Sequence, residues 1–475
     1  MKNPPRALSP MLSLLLLLLS ACSTTSEVLQ PRVDMPGAYR EAAPSQSALT
    51  QEWWQAFGST ELAQLIDVSL RESPDLAIAM ERVRQAEAQV RVAGASLFPQ
   101  LELAAGSSRR GSRESGERSD RSDSTSASLE ASYEVDLWGL NAADVRSADA
   151  LLRATEYDKE AVRLTLVAGV ANAYFEVLSL RSRLAVARQN IAIAERVLNV
   201  VEIRYRNGVV SSLDVARQRT TVFNQRANVP ALELQERQTL AALAILIGRP
   251  PQAFDIQATN LSGLASPVVG PGLPSELLTR RPDLAAAEAQ LVSANANLAA
   301  ARAALLPSLR LGASGGGEAA GFFSLASPHT ATYALAASVL QTIFDGGRLR
   351  AEVDVASSRE RELVESYRKA ILSALADVEN ALVATTRTAE EEDLQRQARD
   401  QASRALRLAE VRYREGADDL LAVLDAQRSL FLAQEQLELV QLSRLQASVS
   451  LFKALGGGWE ASLSASTRAP TASKS

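Results

Sequence analysis

The chain has 475 residues with 50 Lys and Arg against 55 Asp and Glu, and this balance gives no sign of the basic surface that nucleic acid requires. Aromatic residues make up only 5% of the chain, which is low for a protein built around one thick core. Ala, Leu, Gln, Arg and Glu dominate instead, as they do in long helices. We therefore predict a mainly α-helical protein that does not bind nucleic acid.

The first 21 residues have the composition of a targeting segment. Lys2 and Arg6 supply its positive start, and the run from Leu12 to Leu19 is apolar apart from Ser13. The sequence Leu19-Ser20-Ala21-Cys22 follows, and it resembles a lipobox in which small residues directly precede the modified cysteine. We therefore predict a lipoprotein signal peptide over residues 1–21.

Cys22 is the only cysteine in the chain. Its position directly after the apolar run is therefore better explained by a role as lipid anchor than by a chance occurrence. The mature chain would carry a diacylglyceryl and an N-acyl lipid on Cys22, and we expect no other cofactor and no metal site. Ser23 stands where an Asp would resemble an inner-membrane retention signal, so we expect the outer membrane. The alternative is an ordinary signal peptide that happens to contain a cysteine.

A shift of 208 positions superposes two halves of the chain, which indicates a tandem duplication. The matching segments are Ser73–Ala77 with Arg281–Ala285, Leu97–Leu101 with Leu305–Leu309, Arg204–Gly208 with Arg412–Gly416, and Gly248 with Gly456. The predicted organisation is an anchor and N-terminal periplasmic segment over 22–60, a first repeat over 61–248, a linker over 249–275, a second repeat over 276–458 and a disordered tail over 459–475.

Hydrophobic periodicity predicts the helices. Large residues recur every seven positions with an Ala three positions later, which is typical of helices packed as in coiled coils. The large positions are Leu284, Leu291, Leu298 and Leu305 in the second repeat and Leu76, Val83, Val90 and Leu97 in the first. We predict long helices over 141–207 and 348–415, each about 100 Å long. Shorter helices are predicted near 61–96, over 211–247 and over the last apolar pattern, which includes Val423 and Leu451.

Between these helices the hydrophobic period changes to two, which predicts four strands. The alternating apolar positions are Leu101, Leu103 and Ala105; Leu129, Ala131, Tyr133, Val135 and Leu137; Leu309, Leu311 and Ala313; and Tyr333, Leu335, Ala337, Val339 and Ile343. Each strand has roughly the 9–11 residues that cross a bilayer. Glu130, Glu134 and Asp136 form an acidic face suited to a water-filled lumen, and the polar segments 109–124 and 315–329 are predicted as loops outside the cell.

Four strands cannot close a barrel, and an open sheet edge cannot face lipid. Beyond the signal peptide we find no run of about 18 uninterrupted apolar residues, so a crossing of the membrane would require a closed barrel. Three chains would supply twelve strands, enough for a channel, whereas the interior of an eight-stranded barrel is filled by side chains. The expected fold is a trimeric membrane β-barrel with four strands per chain, continued by a long periplasmic α-helical barrel.

These features together resemble the TolC-type outer membrane factors, and in particular the lipoprotein branch that serves multidrug efflux systems of the RND type. The resemblance rests on the lipobox, Trp53-Trp54 with Phe57, Arg281–Leu284, the two Arg-Tyr-Arg-x-Gly turns and the run Leu420–Gln427. It implies a homotrimeric exit duct in the outer membrane lipids that works with a periplasmic adaptor (a membrane fusion protein) and an inner-membrane pump. Substrate choice in such systems resides largely in the pump, so the cargo is not predicted.

The resemblance also implies two functional regions at the helix ends. The turns would contact the adaptor through Arg206, Asn207, Gly208, Val209, Arg414, Glu415 and Gly416. Asp418, Asp419 and Asp425 would form an acidic periplasmic gate. Either Asp418 or Asp419 could instead cap the next helix, because a carboxylate accepts bonds from free N–H groups there, and both turn glycines could simply end helices in the left-handed conformation.

Two other functions compete with a channel. A periplasmic coiled-coil tethering lipoprotein would explain the heptads and the lipobox, although it would not explain four alternating segments placed symmetrically in the repeats. An enzyme would need clustered His, Cys or carboxylate groups. The chain has one histidine, His329, in a loop rich in Gly and Ser, and its only cysteine is the proposed anchor. We therefore predict that the protein is not an enzyme.

Overall fold

The computed structural model describes residues 29, 31–41, 50–112, 120–267, 269–319 and 330–459. The helices are α1 (Thr60–Glu72), α2 (Pro74–Ala95), α3 (Leu140–Arg206), α4 (Ser212–Leu246), α5 (Leu277–Arg280), α6 (Pro282–Ala303), α7 (Arg348–Arg414) and α8 (Leu420–Ala454). The strands are β1 (Gln100–Ser112), β2 (Asp120–Val135), β3 (Ser308–Ala319) and β4 (Thr330–Leu340). The order is two helices, two strands and two helices, given twice. The sequence predicts this duplicated order, apart from a single helix where each repeat begins with two.

The duplication is visible in the helix boundaries. α3 and α7 both have 67 residues, α4 and α8 both have 35, and α2 and α6 both have 22. In these three pairs the helix of the second repeat begins 208 positions after its counterpart in the first. The predicted boundaries of the two long helices are confirmed to within one residue.

One predicted helix is wrong in detail. The segment near residues 61–96 contains two helices, α1 and α2, because the chain is extended at Ser73, where ψ is 127°. Pro74 is the cause, since a proline lacks an N–H to donate and disfavours helical backbone in the residue before it. Pro74 is instead well placed as the first residue of α2.

The four strands form one antiparallel sheet in the order β1-β2-β3-β4. The register places Leu103 opposite Leu129, Tyr133 opposite Leu311, and Ala313 opposite Leu335. Residues directly opposite each other in a sheet lie on the same face. The apolar positions of all four strands therefore form one continuous face, and the polar positions form the other.

The first predicted loop, 109–124, is wrong over most of its length. β1 continues to Ser112 and β2 begins at Asp120, and the Arg109 guanidinium donates to the Asp123 carboxylate at 2.6 and 2.7 Å across the pair. Polar cross-strand pairs stabilise a hairpin in water, so composition alone misassigned these residues. Of the second predicted loop, residues 315–319 belong to β3. Its remainder, with His329, lies outside the described residues.

The ends of two predicted strands also differ from the structure. β2 ends at Val135, so Asp136 and Leu137 follow the strand, and β4 ends at Leu340, so Ile343 is outside the sheet. Asp136 accepts hydrogen bonds from the backbone N–H groups of Asn141 and Ala142 at 3.1 and 2.8 Å. The carboxylate therefore supports the first turn of α3, where helical N–H groups lack partners.

The chain divides into two compact units. Among the described residues, one unit contains residues 82–156 and 286–368, with the sheet, and the other contains residues 33–81, 157–285 and 369–459. In the second unit, aromatic side chains form a core in which Trp53 stacks on Phe452 with ring centroids 4.9 Å apart, and Phe57 contacts Phe175 at 5.0 Å. This core anchors the short 3-10 helix Trp53–Phe57 that precedes α1.

One described helix, α3, has the length and the apolar composition of a membrane span. Half of its most apolar stretch is buried inside the molecule, however, and buried core helices of soluble proteins pass the same test. α3 is therefore weak evidence for a helical span.

Candidate functional site: the two interhelical turns

The two turns that carry the predicted site residues have the same backbone. We call residues 207–211, between α3 and α4, the first turn, and residues 415–419, between α7 and α8, the second turn. Gly208 and Gly416 both have φ of 76°. In each turn the glycine N–H donates to a tyrosine carbonyl and the next N–H donates to an arginine carbonyl, Val209 to Arg204 at 2.9 Å and Ala417 to Arg412 at 2.8 Å. This is the left-handed helix ending predicted from the sequence.

The first turn starts α4 with a reciprocal cap. The Asp214 N–H donates to the Ser211 hydroxyl at 3.3 Å, and the Ser211 N–H donates to the Asp214 carboxylate at 2.9 Å. The backbone bond from Ser211 lowers the pKa of Asp214 below its ordinary value, because it favours the ionised carboxylate. Two N–H groups at the start of α4 are thereby paired.

The second turn uses its two adjacent aspartates differently. Asp419 caps α8, since its carboxylate accepts the Ala422 N–H at 3.2 Å. Asp418 accepts two hydrogen bonds from the Arg412 guanidinium, at 2.7 and 3.0 Å. These bonds lower the pKa of Asp418 below its ordinary value. The choice of cap residue that the sequence left open is therefore Asp419, and the charge of Asp418 is compensated within its own chain.

Asp425, the third predicted gate residue, lies on α8 beyond the turn. Its side chain is exposed, and no ion pair or cap bond involving it is found in the described part of the chain. It lines a groove of about 730 Å³ between α3, α4 and α8, together with Arg217 and Arg428. Of the three candidate acids, Asp425 is the one that has neither an ion pair nor a cap bond within the described residues.

The residues predicted to contact an adaptor are brought to the surface at two places. Arg206 directly precedes the first turn, and Asn207, Gly208 and Val209 belong to it. All four residues are exposed. Arg414, Glu415 and Gly416 are likewise exposed at the second turn. Both groups are therefore accessible in a single chain.

The sequence reasoning missed a contact that joins the two turns. The Arg204 guanidinium lies over the Tyr413 ring, 4.5 Å from its centroid, and its Nη1 donates to the Tyr413 carbonyl at 2.5 Å. Stacking of a cation on an aromatic face is favourable, and more so where water is partly excluded. The Arg-Tyr-Arg motif contains both residue types, but nothing in the sequence indicates that an arginine of one repeat binds the tyrosine of the other.

In the sheet, the three acids expected to line a lumen have different surroundings. Glu130 lies opposite Glu102 on β1 and Ser314 on β3, on the polar face. Glu134 lies on the same face and forms an ion pair with Arg310 at 3.0 Å. Asp136 lies beyond the strand and caps α3, so only Glu130 and Glu134 of the three expected acids lie on the polar face. Cys22, the predicted anchor, is outside the described residues.

Comparison with known proteins agrees with this architecture. A family model described as outer membrane efflux protein matches residues 65–249 and again residues 273–457, so the second match begins 208 positions after the first. Pyoverdine export outer membrane protein OpmQ of Pseudomonas aeruginosa is 46% identical over 457 residues, which cover 94% of this chain and 95% of that protein. Outer membrane protein OprJ of the same species is 32% identical over 97% of both chains.

Solved structures agree as well. The open state of the Neisseria gonorrhoeae MtrE outer membrane channel superposes with a TM-score of 0.82 and 31% identity, covering 92% of this chain and 98% of that one. The duplicated helices and the two-faced sheet thus define a protein of the outer membrane channel class. The chain belongs to the outer membrane efflux protein family, the TolC family. It is an outer membrane channel of an efflux pump, and the prediction of a transport protein rather than an enzyme is confirmed.

Proposed function

We propose that three copies of the chain form the exit duct of a tripartite efflux pump, with twelve strands closed into one barrel. The two-faced sheet carries this proposal. Leu103, Tyr333 and Leu335 on its apolar face are 77%, 89% and 83% exposed in the single chain. β1 and β4 are the edge strands, and in the described part of the chain neither has a partner on its outer side. Lipid would cover the apolar face, and further copies would pair the edges.

The test compares two arginine substitutions on opposite faces of the sheet. Leu335→Arg puts a charge on the apolar face, which costs about 2–4 kcal/mol at the middle of a bilayer. Ser314→Arg puts the same charge on the polar face, opposite Glu130. We expect single channels in planar bilayers from the parent and from Ser314→Arg, with altered conductance in the latter, and none from Leu335→Arg. Equal channel formation by both variants would contradict the proposed orientation.

The turns are proposed to bind the periplasmic adaptor of the pump, through Arg206, Asn207, Gly208, Val209, Arg414, Glu415 and Gly416. Their exposure in the single chain supports this role. Asn207→Trp or Glu415→Trp should reduce export without reducing the yield of trimer, whereas Gln397→Trp, on an exposed part of α7 away from the turns, should leave export unchanged. Normal export by both turn variants would place adaptor binding elsewhere.

We further propose that acids near the second turn form the periplasmic gate, and that Asp425 supplies most of its charge. Asp418 is paired with Arg412 and Asp419 is engaged as a cap, so both contribute less. Like charges that converge at a narrow opening favour bound cations. Asp425→Asn should therefore reduce cation preference and block by trivalent cations more than the double variant Asp418→Ala, Asp419→Ala. The opposite ranking would move the constriction to the turn.

The anchor is proposed to be the lipid-modified Cys22, in keeping with the lipobox. Cys22→Ser should abolish incorporation of labelled palmitate and change the processing site. Channel formation should partly survive, because the strands themselves would insert. Unchanged labelling and mobility would rule out the anchor.

For the cargo we propose a secreted siderophore of the pyoverdine type. The two relatives named for pyoverdine export, from Pseudomonas aeruginosa and Pseudomonas putida, are 46% and 43% identical to this chain. Relatives named for toluene or antibiotic efflux are 32% or 33% identical. Expression in a strain that lacks its own pyoverdine export outer membrane protein should restore extracellular pyoverdine. Restored solvent or antibiotic tolerance without pyoverdine export would contradict this cargo.

A further inference from the structure

The groove of about 730 Å³ between α3, α4 and α8 is lined by five side chains that carry an amide group. They are Asn190 on α3 and Asn224, Gln225, Asn228 and Gln235 on α4. The opposite wall is formed by α8, between residues 424 and 435. We call this surface the amide groove. Its volume lies within the range of about 300–1,000 Å³ that is typical of sites for small molecules.

Two polar atoms of α3 that belong to the lining residues are buried without a partner. Asn190 is 3% exposed, and its Oδ1 has no hydrogen bond within the described residues. The Nε of Arg183 is likewise buried and unpaired in the part of the chain that the structure describes. Buried polar groups in folded proteins are nearly always paired. The α3 side of the groove therefore offers one acceptor and one donor to a ligand that supplies the opposite group for each.

The charges of the groove nearly cancel. Arg183 also lines the groove, and its Nη2 donates to the Glu435 carboxylate at 2.8 Å. The other charged lining residues are Arg217 and Arg428 against Asp425. A site with three arginines and two acids has no strong preference for an anion or a cation. Hydrogen bonds rather than charge would therefore select its ligand.

We infer that the amide groove binds a peptide-like cargo, an extended chain whose N–H and C=O groups pair with the amide side chains. Each amide side chain both donates and accepts, as each peptide unit does. An α-helix of another protein fits less well, because its backbone N–H groups are already bonded within the helix. The α8 wall, from residue 424 to residue 435, is about 17 Å long at 1.5 Å per residue. This length matches about five residues of an extended chain.

This inference rests on the proposed function, because the proposed gate acid Asp425 lines the same groove. A groove that shares Asp425 with the gate opens into the duct through which the cargo leaves. Binding in a conducting path must be strong enough for entry and weak enough for release. The amide groove would therefore hold the cargo briefly beside the gate.

The experiment uses the full-length chain in detergent and a neutral peptide probe. The probe is an acetylated Gly-Ser-Gly-Ser-Gly amide that carries a photoreactive diazirine on its acetyl end. After illumination, labelled segments are identified by mass spectrometry. We expect saturable labelling within residues 183–190 and 220–235. The unlabelled peptide should compete, whereas the same peptide with every amide N-methylated should compete at least tenfold less, because it has no N–H to donate.

Two variants remove amide groups from the groove. Asn190→Leu has a similar size, and the double variant Asn224→Ala, Asn228→Ala changes only exposed residues, so it keeps the test valid if the buried change prevents folding. Circular dichroism checks the helix content of both. Each should raise the half-saturating peptide concentration at least fivefold, the usual effect of losing about one hydrogen bond.

Matched controls exist for both variants. The Oδ1 of Asn172 on α3 is also buried without a partner among the described residues, but Asn172 does not line the groove. Gln397 and Gln401 are exposed amide residues on α7, likewise outside the groove. Asn172→Leu and the double variant Gln397→Ala, Gln401→Ala should leave the half-saturating concentration unchanged.

Single-channel recording in planar bilayers separates failure of the inference from failure of the proposed function. The peptide should interrupt the current over the concentration range in which it labels the groove, and its N-methylated form should not. Equal competition by the two peptides, or unchanged binding in both groove variants, would overturn the inference and leave the channel standing. Labelling without interruption of the current would overturn the role in export. Absence of any channel from the parent would overturn the proposed function itself.

Discussion

Three helices of the first repeat have the same boundaries as their counterparts in the second, α2 as α6, α3 as α7 and α4 as α8, yet the two repeats bury different side chains. Leu284, Leu291 and Leu298 of α6 are at most 2% exposed. Their counterparts in α2, among them Leu76 and Val83, are only half-buried. Phe431 of α8 is 7% exposed, whereas its counterpart in α4, Phe223, is 62% exposed. The heptad pattern therefore determines which side of each helix is apolar, and the turn residues determine where the helix ends, whereas burial depends on which element lies beside it.

Because α3 of the first repeat packs on α6 and α8 of the second, differences between these two helices and their counterparts, α2 and α4, report on neighbours rather than on the local sequence. A substitution whose effect depends on a local contact should act equally in both repeats. A substitution whose effect depends on packing against α3 should act in α6 or α8 and not at the matched position of α2 or α4, as long as the chain is a monomer. Pairs of variants 208 positions apart can therefore separate these two contributions to stability.

The largest difference is expected for the phenylalanine pair. Phe431→Ala removes a buried ring from the cluster with Ile193 and Val197, and such changes cost about 3–5 kcal/mol. Phe223→Ala removes an exposed ring and should change the stability of dissociated chains by less than about 0.5 kcal/mol. Unfolding followed by circular dichroism would measure both. Equal losses in dissociated chains would mean that the first repeat is covered by some other part of the chain.

A local contact should instead give equal effects. Gly248 and Gly456 have φ of 76° and 87°, and a Cβ on either would overlap the carbonyl oxygen of Glu72 or Arg280, respectively. Those two carbonyls are themselves 208 positions apart. Gly248→Ala and Gly456→Ala should each cost at least about 2 kcal/mol, from the left-handed backbone and the overlap together. Gly416→Ala, which meets nothing within 4 Å, should cost about 1–2 kcal/mol from the backbone alone. Unequal losses at 248 and 456 would show that the two sites are not locally equivalent.

The same distinction explains what could be predicted from the sequence. The boundaries of α3 and α7 were predictable to within one residue, because apolar periodicity and a glycine turn are local signals. The strands were predictable by their alternation, but their polar ends were not: Arg109 and Asp123 pair across the hairpin where hydropathy has no period. The break between α1 and α2 was overlooked although Pro74 marks it.

The conformation of the two interhelical turns could be predicted from the sequence, but the contact that joins one turn to the other could not. The position of the glycines fixed their conformation, and either Asp418 or Asp419 had suitable spacing for the cap. The bond from Arg204 to Tyr413 joins residues 209 positions apart, and only the packing of the two repeats brings them together. No local pattern encodes which repeat covers the other, so the exposure of Tyr205 could not be predicted either.

A smaller effect is expected at the helix caps, which are also local. Ser211→Ala and Asp419→Ala should each cost about 1 kcal/mol, because each removes the oxygen that accepts an N–H of the first turn of α4 or α8. Asp214 distinguishes the two caps, since the second repeat has Ala422 in its place. The pKa of Asp214 is lowered in the folded chain, so its contribution is present above about pH 4 and is lost as the pH falls below that value. Asp214→Ala should therefore make the free energy of unfolding less dependent on pH in this range. An unchanged dependence on pH would argue against the reciprocal cap.

The smallest effect is expected at Glu438 on α8. The matched residue in the first repeat is Pro230, which is exposed. Burial raises the pKa of the Glu438 carboxyl, against the hydrogen bond from Ser182 and the charges of Arg399 and Arg183, which lower it. A raised pKa in the folded state means that the protonated carboxyl favours folding. This contribution is present below about pH 4, the ordinary range for Glu, and is lost as the pH rises through the folded-state pKa.

Glu438→Gln keeps the size of the side chain and removes its titration. At pH 7 we expect this variant to be more stable than the parent by roughly 0.5 kcal/mol, the usual scale for substitutions that leave packing unchanged. At pH 4 the two should be equal, because the parent carboxyl is then largely protonated. Thermal unfolding at both pH values measures the difference, with Glu435→Gln, which removes the neighbouring ion pair to Arg183, as the matched variant. A loss of stability in Glu438→Gln at pH 7 would contradict this prediction. It would mean that the attraction of Arg399 and Arg183 stabilises the ionised Glu438 carboxylate by more than burial destabilises it.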